Sequence, residues 1–388
     1  MSTIASQNYQ RHIDAENRLS CCDLLSASST ASSHSSQEEM ARKFPWAASV
    51  TLSKSTESYA GMSINGEMAK NGYSKEMLEK MIDFYTKKGC KCELIALHTE
   101  SGTDREAYVA VFRNAHPHLL DGVVWDLEWV VFQNLDEEMY NRRTKTVQTR
   151  RARQCVCIGD KEVKADIPNG VGGVVSYANV PSLQLLRDEL TQIGEELHLP
   201  TADLLAEVNH YDPEKGYIGF HGDGERPDVI GATFGAAKEL HFQGFCGADP
   251  VGKRVTVALN HGDMYVMDED ACGHNWVKER TPSQARRGCV HYRHAACAPE
   301  GNPNVPSNKK ILEMRAKKKV KSEQQRAEKK RAREEMQNNG GGDDGGAVDG
   351  AAEEARKKVK LTMNIVDDAV EQIPVVQSAV RGPIGACD

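Results

Sequence analysis

The sequence predicts an α+β protein. Two stretches in its first half repeat apolar residues at helical spacing, and residues 206–298 break into short β-rich runs separated by Gly and Asp turns. Neither end shows an apolar period, so the folded part is expected to be flanked by disordered termini.

The elements follow in chain order. Residues 26–36 hold eight Ser or Thr in eleven positions, too little apolar surface to offset chain entropy, so residues 1–60 are assigned to a disordered start. Ser74 reads as an N-cap, with Met77, Leu78, Met81, Ile82 and Tyr85 at helical spacing up to Gly89. Cys92–Leu97 and Ala107–Phe112 read as strands around Ser101-Gly102-Thr103, and Val123–Phe132, rich in Val and Trp, as another. A basic run from Arg142 to Arg153 holds six Lys/Arg in twelve residues. Pro181-Ser182 opens a second helix bearing Leu183, Leu186, Leu190, Ile193 and Leu197 on one face. Residues 61–205 thus form an α/β part with a substrate lid.

From 206 the pattern turns to β. Glu207 to His221 reads as strand, turn, strand, with Asp212-Pro213 and Lys215-Gly216 as turn chemistry. Further runs are Tyr217–His221, Val229–Phe234, Glu239–Phe242, Arg254–Leu259, Met264–Met267 and Cys289–His294. Many short strands at this spacing indicate a sandwich or barrel over 206–298. Residues 299–388 are charged and then Gly-rich, a largely disordered tail whose 309–336 stretch also reads as a solvated helix.

Charge is unevenly placed. Lys309–Arg333 carries twelve Lys/Arg against three Glu, net +9, so the rest of the chain is −16 within a formal total of −7. An acidic body argues against a phosphate-binding surface over the whole fold, though not against a local groove. Eleven cysteines without framework spacing suit a reducing compartment, and Cys90/Cys92 and Cys155/Cys157 read as small strand residues rather than zinc or redox pairs. No stretch approaches the ~20 apolar residues of a membrane span. The Lys/Arg clusters at 317–321 and 356–360 favour the nucleus over the cytoplasm.

The residues that point to chemistry begin with His221-Gly-Asp223. On a strand, residues two apart share a side, so an imidazole and a carboxylate can meet one metal ion. A third ligand is expected downstream, and His274 in Gly-His-Asn-Trp is the candidate; His261 and His294 compete. Two His and one carboxylate leave open positions in the manner of non-haem Fe(II) oxygenases. An arginine such as Arg287 or Arg293 can then hold a dicarboxylate co-substrate.

At this point the chain resembles the AlkB-like branch of the 2-oxoglutarate- and Fe(II)-dependent oxygenases, closely over 206–296 and loosely over 90–205. Asn209-x-Tyr211, His221-x-Asp223, Leu259-x-x-Gly262-Asp263-x-x-x-Met267, His274 and Arg287-x5-Arg293 stand in family order. The resemblance implies a double-stranded β-helix (jelly-roll) core flanked by helices. It implies Fe(II) on His221, Asp223 and His274, and 2-oxoglutarate on Asn209, Tyr211, Arg287 and Arg293. The implied reaction, with O2, is oxidative N-demethylation of nucleobases in DNA or RNA, releasing formaldehyde from a flipped base. Cys289 stands where the family's arginine motif carries Asn or Ser, Arg286 adjoins Arg287, and Gly224-Glu225-Arg226-Pro227 differs from the turn of the DNA-repair members.

Other residues have plainer alternatives. Arg142, Arg143, Arg150, Arg151 and Arg153 are candidates for gripping nucleic-acid phosphate, or else form a solvated hairpin. Trp125 and Trp129 read as core, Trp276 as pocket wall or packing, and Asp263 as a turn residue. The rival functions are a 2-oxoglutarate-dependent hydroxylase of a protein, nucleotide or small molecule, and a catalytically silent nucleic-acid-binding module.

Overall fold

A computed structural model describes residues 43–57, 62–274 and 290–338. The Ser-rich start, Trp276, Arg286, Arg287, Cys289, the Gly-rich tail and the cluster at 356–360 lie outside the described residues. The chain divides into two units, Met1–Ala316 and Lys317–Asp388. In the first, the strands run β1 (Ala47–Ser53), β2 (Ser55–Glu57), β3 (Ile64–Gly66), β4 (Lys91–Ala96), β5 (Tyr108–Arg113), β6 (Glu138–Asn141), β7 (Thr146–Thr149) and β8 (Gln154–Gly159). They continue as β9 (Val174–Ser176), β10 (Leu205–Tyr211), β11 (Tyr217–His221), β12 (Ile230–Gly235), β13 (Lys238–Cys246), β14 (Asp249–Leu259), β15 (Met264–Met267) and β16 (Val290–Cys297). The helices are α1 (Lys75–Lys87), α2 (Leu97–Ser101), α3 (Leu120–Asp126), α4 (Pro181–Leu197) and α5 (Asn308–Asn338), the last reaching into the second unit.

The protein is a mixed α+β fold with mostly antiparallel sheets. One sheet has eight strands in the order β4-β5-β15-β12-β1-β10-β8-β9, parallel only at β8–β9. A second has four, β11-β16-β13-β14. Alternation along the strands sorts the chain into three layers. Ala48, Val50 and Leu52 of β1 join Ala206 and Val208 of β10 in a core shared with Leu78 and Met81 of α1 and Leu183 and Leu186 of α4. On the other face, Val109, Tyr265 and Met267 pack against Leu240, Phe242, Val257 and Tyr292 of the smaller sheet. The opposite alternates of β1 and β10 (Ser49, Thr51, Asn209 and Tyr211) line a cavity.

The helices form where the apolar spacing placed them. Ser74 accepts from the Met77 amide at the start of α1, which buries Leu78, Met81 and Tyr85. Pro181 opens α4, and the buried Asp126 carboxylate accepts from the Ser182 and Leu183 amides at 2.7 and 2.9 Å.

Three expectations need correction. Val123–Phe132 is not a strand: α3 runs into a π-helical turn, Leu127–Val131, and a 3-10 turn. Val123, Leu127 and Val131, four apart, are its buried apolar residues, so packing overrides the β propensity of Val and Trp. Trp129 is 68% exposed rather than core. The disordered start does not reach residue 60, because β1 lies mid-sheet with every residue buried. Residues 308–338 are helical, as the alternative reading of the tail had it. Among the described residues, no helix is long and apolar enough to cross a membrane.

Candidate metal centre

His221 ends β11, and Asp223 follows in the turn where the Asp223 amide donates to the Cys272 carbonyl at 2.9 Å. The intervening residue has to be small. A Cβ on Gly222 would lie 2.4 Å from the Gly273 carbonyl oxygen, and Gly273 has φ +72°. Gly222→Ala is expected to cost about 1–3 kcal/mol of stability in denaturant unfolding. Gly219→Ala, whose Cβ meets only the Asn304 carbonyl at 4.0 Å, should be close to neutral.

Strand register supplies a second imidazole. His221 lies opposite His294 of β16, and the two ring centroids are 4.2 Å apart. Asp223 Oδ1 lies 3.3 Å from His221 Nε2 and 3.7 Å from His294 Nε2. One ligand atom from each of the three residues falls within 4.8 Å of the others, the one such group found among the described residues. The His221 Nδ1–H donates to the Gly219 carbonyl at 2.8 Å, which leaves the Nε2 lone pair facing Asp223.

The protonation states suit a cation. Burial alone would raise the Asp223 carboxyl, but Arg226, His294 and His221 hold it well below the usual carboxylate range. Burial, then the neighbouring His221, pushes His294 down to about 3, so it is neutral with a lone pair free at neutral pH.

His274 is not part of this group. It is buried beside it, with its Nδ1 on the Asp223 backbone carbonyl at 3.2 Å, so it braces the triplet from behind. The histidine that the structure groups with His221 and Asp223 is thus His294, the competing candidate, and not His274. Arg293, expected to hold the co-substrate, faces the other side of β16. Its guanidinium donates to the Gly247 carbonyl at 2.7 Å and lies 4.3 Å from the Phe245 ring centre. Neighbours on a strand point oppositely, so once His294 faces the metal centre Arg293 cannot. Asn209 and Tyr211 do line the cavity, but both ends of the Asn209 amide are engaged, Oδ1 by Arg153 and Nδ2 by Glu207.

The cavity also holds a cation that sequence reasoning missed. Lys238 opens β13, is 3% exposed, and its ammonium has no hydrogen-bond partner among the described residues. Its Nζ lies 3.5 Å from the Tyr211 ring centre. Burial pushes its pKa down to about 7. In the sequence it reads as an ordinary strand-start lysine; its isolation arises only when the two sheets close over it.

No family model matches the chain. It is 32% identical over 245 residues to the uncharacterized protein R156 of Acanthamoeba polyphaga mimivirus, a match covering 60% of this chain and 92% of that protein. The chain belongs to the R156 family.

In this R156-family member the basic run forms the β6–β7 hairpin and the segment after it. Arg142 and Arg143 are exposed at the turn. Arg151 and Arg153 line a groove with Met139, Gln148, Thr149 and Tyr217, and Arg153 also reaches Asn209 at the cavity. Arg150 lines the same groove, but its side chain is turned inward. It is buried, with Nε on the Glu138 carbonyl at 2.8 Å and its guanidinium on Cys155 Sγ and near Asp136. Cys155 and Cys157 are buried strand residues, and Asp263 closes its turn by accepting from the Asn260 amide and Arg113. His261 sits at that same turn, stacked on Phe44.

Proposed function

We propose that this R156-family protein is an Fe(II)- and 2-oxoglutarate-dependent dioxygenase. His221, Asp223 and His294 would hold the metal, and Lys238 would hold a carboxylate of the co-substrate. One observation carries the reading: three groups able to ligate a metal, and a buried ammonium with no hydrogen-bond partner among the described residues, converge on a single cavity. Two imidazole nitrogens and one carboxylate oxygen fit ferrous iron with positions left open. A buried lysine with no hydrogen-bonded carboxylate among the described residues fits an incoming carboxylate, which would satisfy it.

The jelly-roll expectation draws support from the strand path. From β10 to β16 the chain visits the large, small, large, small, small, large and small sheets in turn, as paired Greek keys would. The eighth position, between β10 and β12, is taken by β1 from the far end of the sequence.

Iron would supply activation of O2 coupled to conversion of 2-oxoglutarate to succinate and CO2, with one oxygen atom passing to a substrate C–H bond. The chain's own residues set the conditions. The Gly219 carbonyl fixes the His221 tautomer, Arg226 holds Asp223 ionised, and Lys238 Nζ keeps its proton once a carboxylate lies against it. Val229, Leu240, Leu259 and Met267 line the cavity and exclude water. The substrate we favour is an N-methylated nucleobase in DNA or RNA, with Arg142, Arg143, Arg151 and Arg153 on its phosphates. Hydroxylation of the methyl carbon gives a hemiaminal, which releases formaldehyde and the free base nitrogen. The departure of Arg293 from the cavity favours one second reading, a 2-oxoglutarate oxygenase acting on a protein, nucleotide or small molecule.

The test is anaerobic Fe(II) loading, then succinate release on admitting O2, with methylated oligonucleotides, peptides and nucleotides as substrates. Succinate with formaldehyde from a methylated oligonucleotide is the expected result. No iron bound and no succinate from any substrate would overturn the proposal.

A further inference from the structure

Behind the metal centre runs a chain of buried polar contacts that the three ligands alone do not require. Asp223 turns Oδ1 toward the two imidazoles and Oδ2 toward Arg226, whose Nε donates to it at 3.2 Å. Arg226 Nη1 ion-pairs with Glu207 Oε2 at 2.8 Å and reaches Thr51 Oγ1 at 3.4 Å. Glu207 Oε1 accepts from Asn209 Nδ2 at 2.9 Å, and Asn209 Oδ1 accepts from Arg153. Asp223, Arg226, Glu207 and Asn209 are all buried.

Burying a guanidinium and two carboxylates is a poor way to gain stability, since desolvation offsets most of the attraction. Orientation is what such a network supplies. A carboxylate on a short side chain can offer a metal one oxygen or both, and a guanidinium fork fixed on a second carboxylate removes that freedom. Arg226 Nε also lies 3.5 Å from Glu225 Oε1, so three carboxylates surround the one guanidinium beside the two imidazoles.

We propose that Arg226, held in place by Glu207 and Asn209, is a positioning residue that restricts Asp223 to one metal-facing oxygen. This rests on the metal reading above. The experiment is a cobalt(II) titration of the full chain, read by visible absorption, with no turnover involved. Wild type should bind one cobalt. Arg226→Lys keeps the charge but loses the fork, and should weaken binding by about 10–100-fold, the usual cost of losing an outer partner. Its absorption bands should also weaken as Asp223 swings to two-oxygen ligation, a change that mere loosening of the fold would not produce. Asn209→Ala removes the donor to Glu207 without touching Asp223 or Arg226, and should weaken binding several-fold, roughly the worth of one buried hydrogen bond. If Arg226→Lys does not fold, Asn209→Ala decides alone. Cobalt binding by wild type with unchanged affinity and spectrum in every folded variant would overturn the positioning role. No binding by wild type would instead overturn the metal reading.

Discussion

Lys238→Met should raise the stability of the free protein while abolishing its response to 2-oxoglutarate. The substitution keeps an unbranched side chain, one heavy atom shorter, and removes the ammonium of a residue that is 3% exposed and whose Nζ has no hydrogen-bond partner among the described residues. A lysine held at about 7 against an unfolded value of ~10.4 costs on the order of 3–4 kcal/mol near neutral pH. Between those two values the unfolded chain binds the extra proton, so the wild type gains stability from this residue as pH rises. The gap in melting temperature between variant and wild type should thus be widest at pH 7 and below, and close toward pH 10. At pH 7, 2-oxoglutarate should raise the melting temperature of the metal-loaded wild type. Loss of a charge-assisted contact should weaken binding in the variant roughly 100-fold. Unchanged 2-oxoglutarate affinity in Lys238→Met would remove Lys238 from the site.

The second large effect separates two histidines. If His221, Asp223 and His294 hold the metal as proposed, His294→Ala should lower metal affinity by more than about 100-fold, whereas His274→Ala removes only a brace on the Asp223 carbonyl. Equilibrium dialysis with cobalt(II) would rank them. The reverse order would show that the ligand set is His221, Asp223 and His274. His294→Ala should also relieve a buried imidazole held down at about 3, so that its acid unfolding midpoint falls. The sign follows from linkage: between about 3 and 6.5 the unfolded chain takes up the proton and the folded one does not, so wild type loses stability as pH drops through that window.

Much of the architecture could be read from residue spacing. The helix beginning after Ser74 and the one beginning at Pro181 follow their apolar stripes, and Tyr217–His221 and Met264–Met267 are strands at the bounds expected. What spacing hid was burial on both faces. Ala48, Val50 and Leu52 alternate with Ser49, Thr51 and Ser53, but the small polar alternates make the run read as a continuation of the Ser-rich start; in the fold one side packs on helices and the other lines the cavity. The His221-x-Asp223 pair was visible because both residues lie close in sequence. Its companion depends on which residue of β16 falls opposite His221, and a shift by one would have presented Arg293 instead. Register of that kind is decided by long-range pairing and is not written in any local motif.

The mid-sheet place of β1 has a consequence for how the protein is made. Both its neighbours, β10 and β12, leave the ribosome about 160 residues or more after it. At ~5–20 residues per second of synthesis, that strand waits roughly 10–30 s with both edges unpaired. Throughout that interval a stretch of Ala, Val and Leu is open to adventitious strand partners. Folding of the first unit is therefore expected to be gated by the completion of translation, and the nascent chain is most vulnerable to aggregation before residue 235 has emerged.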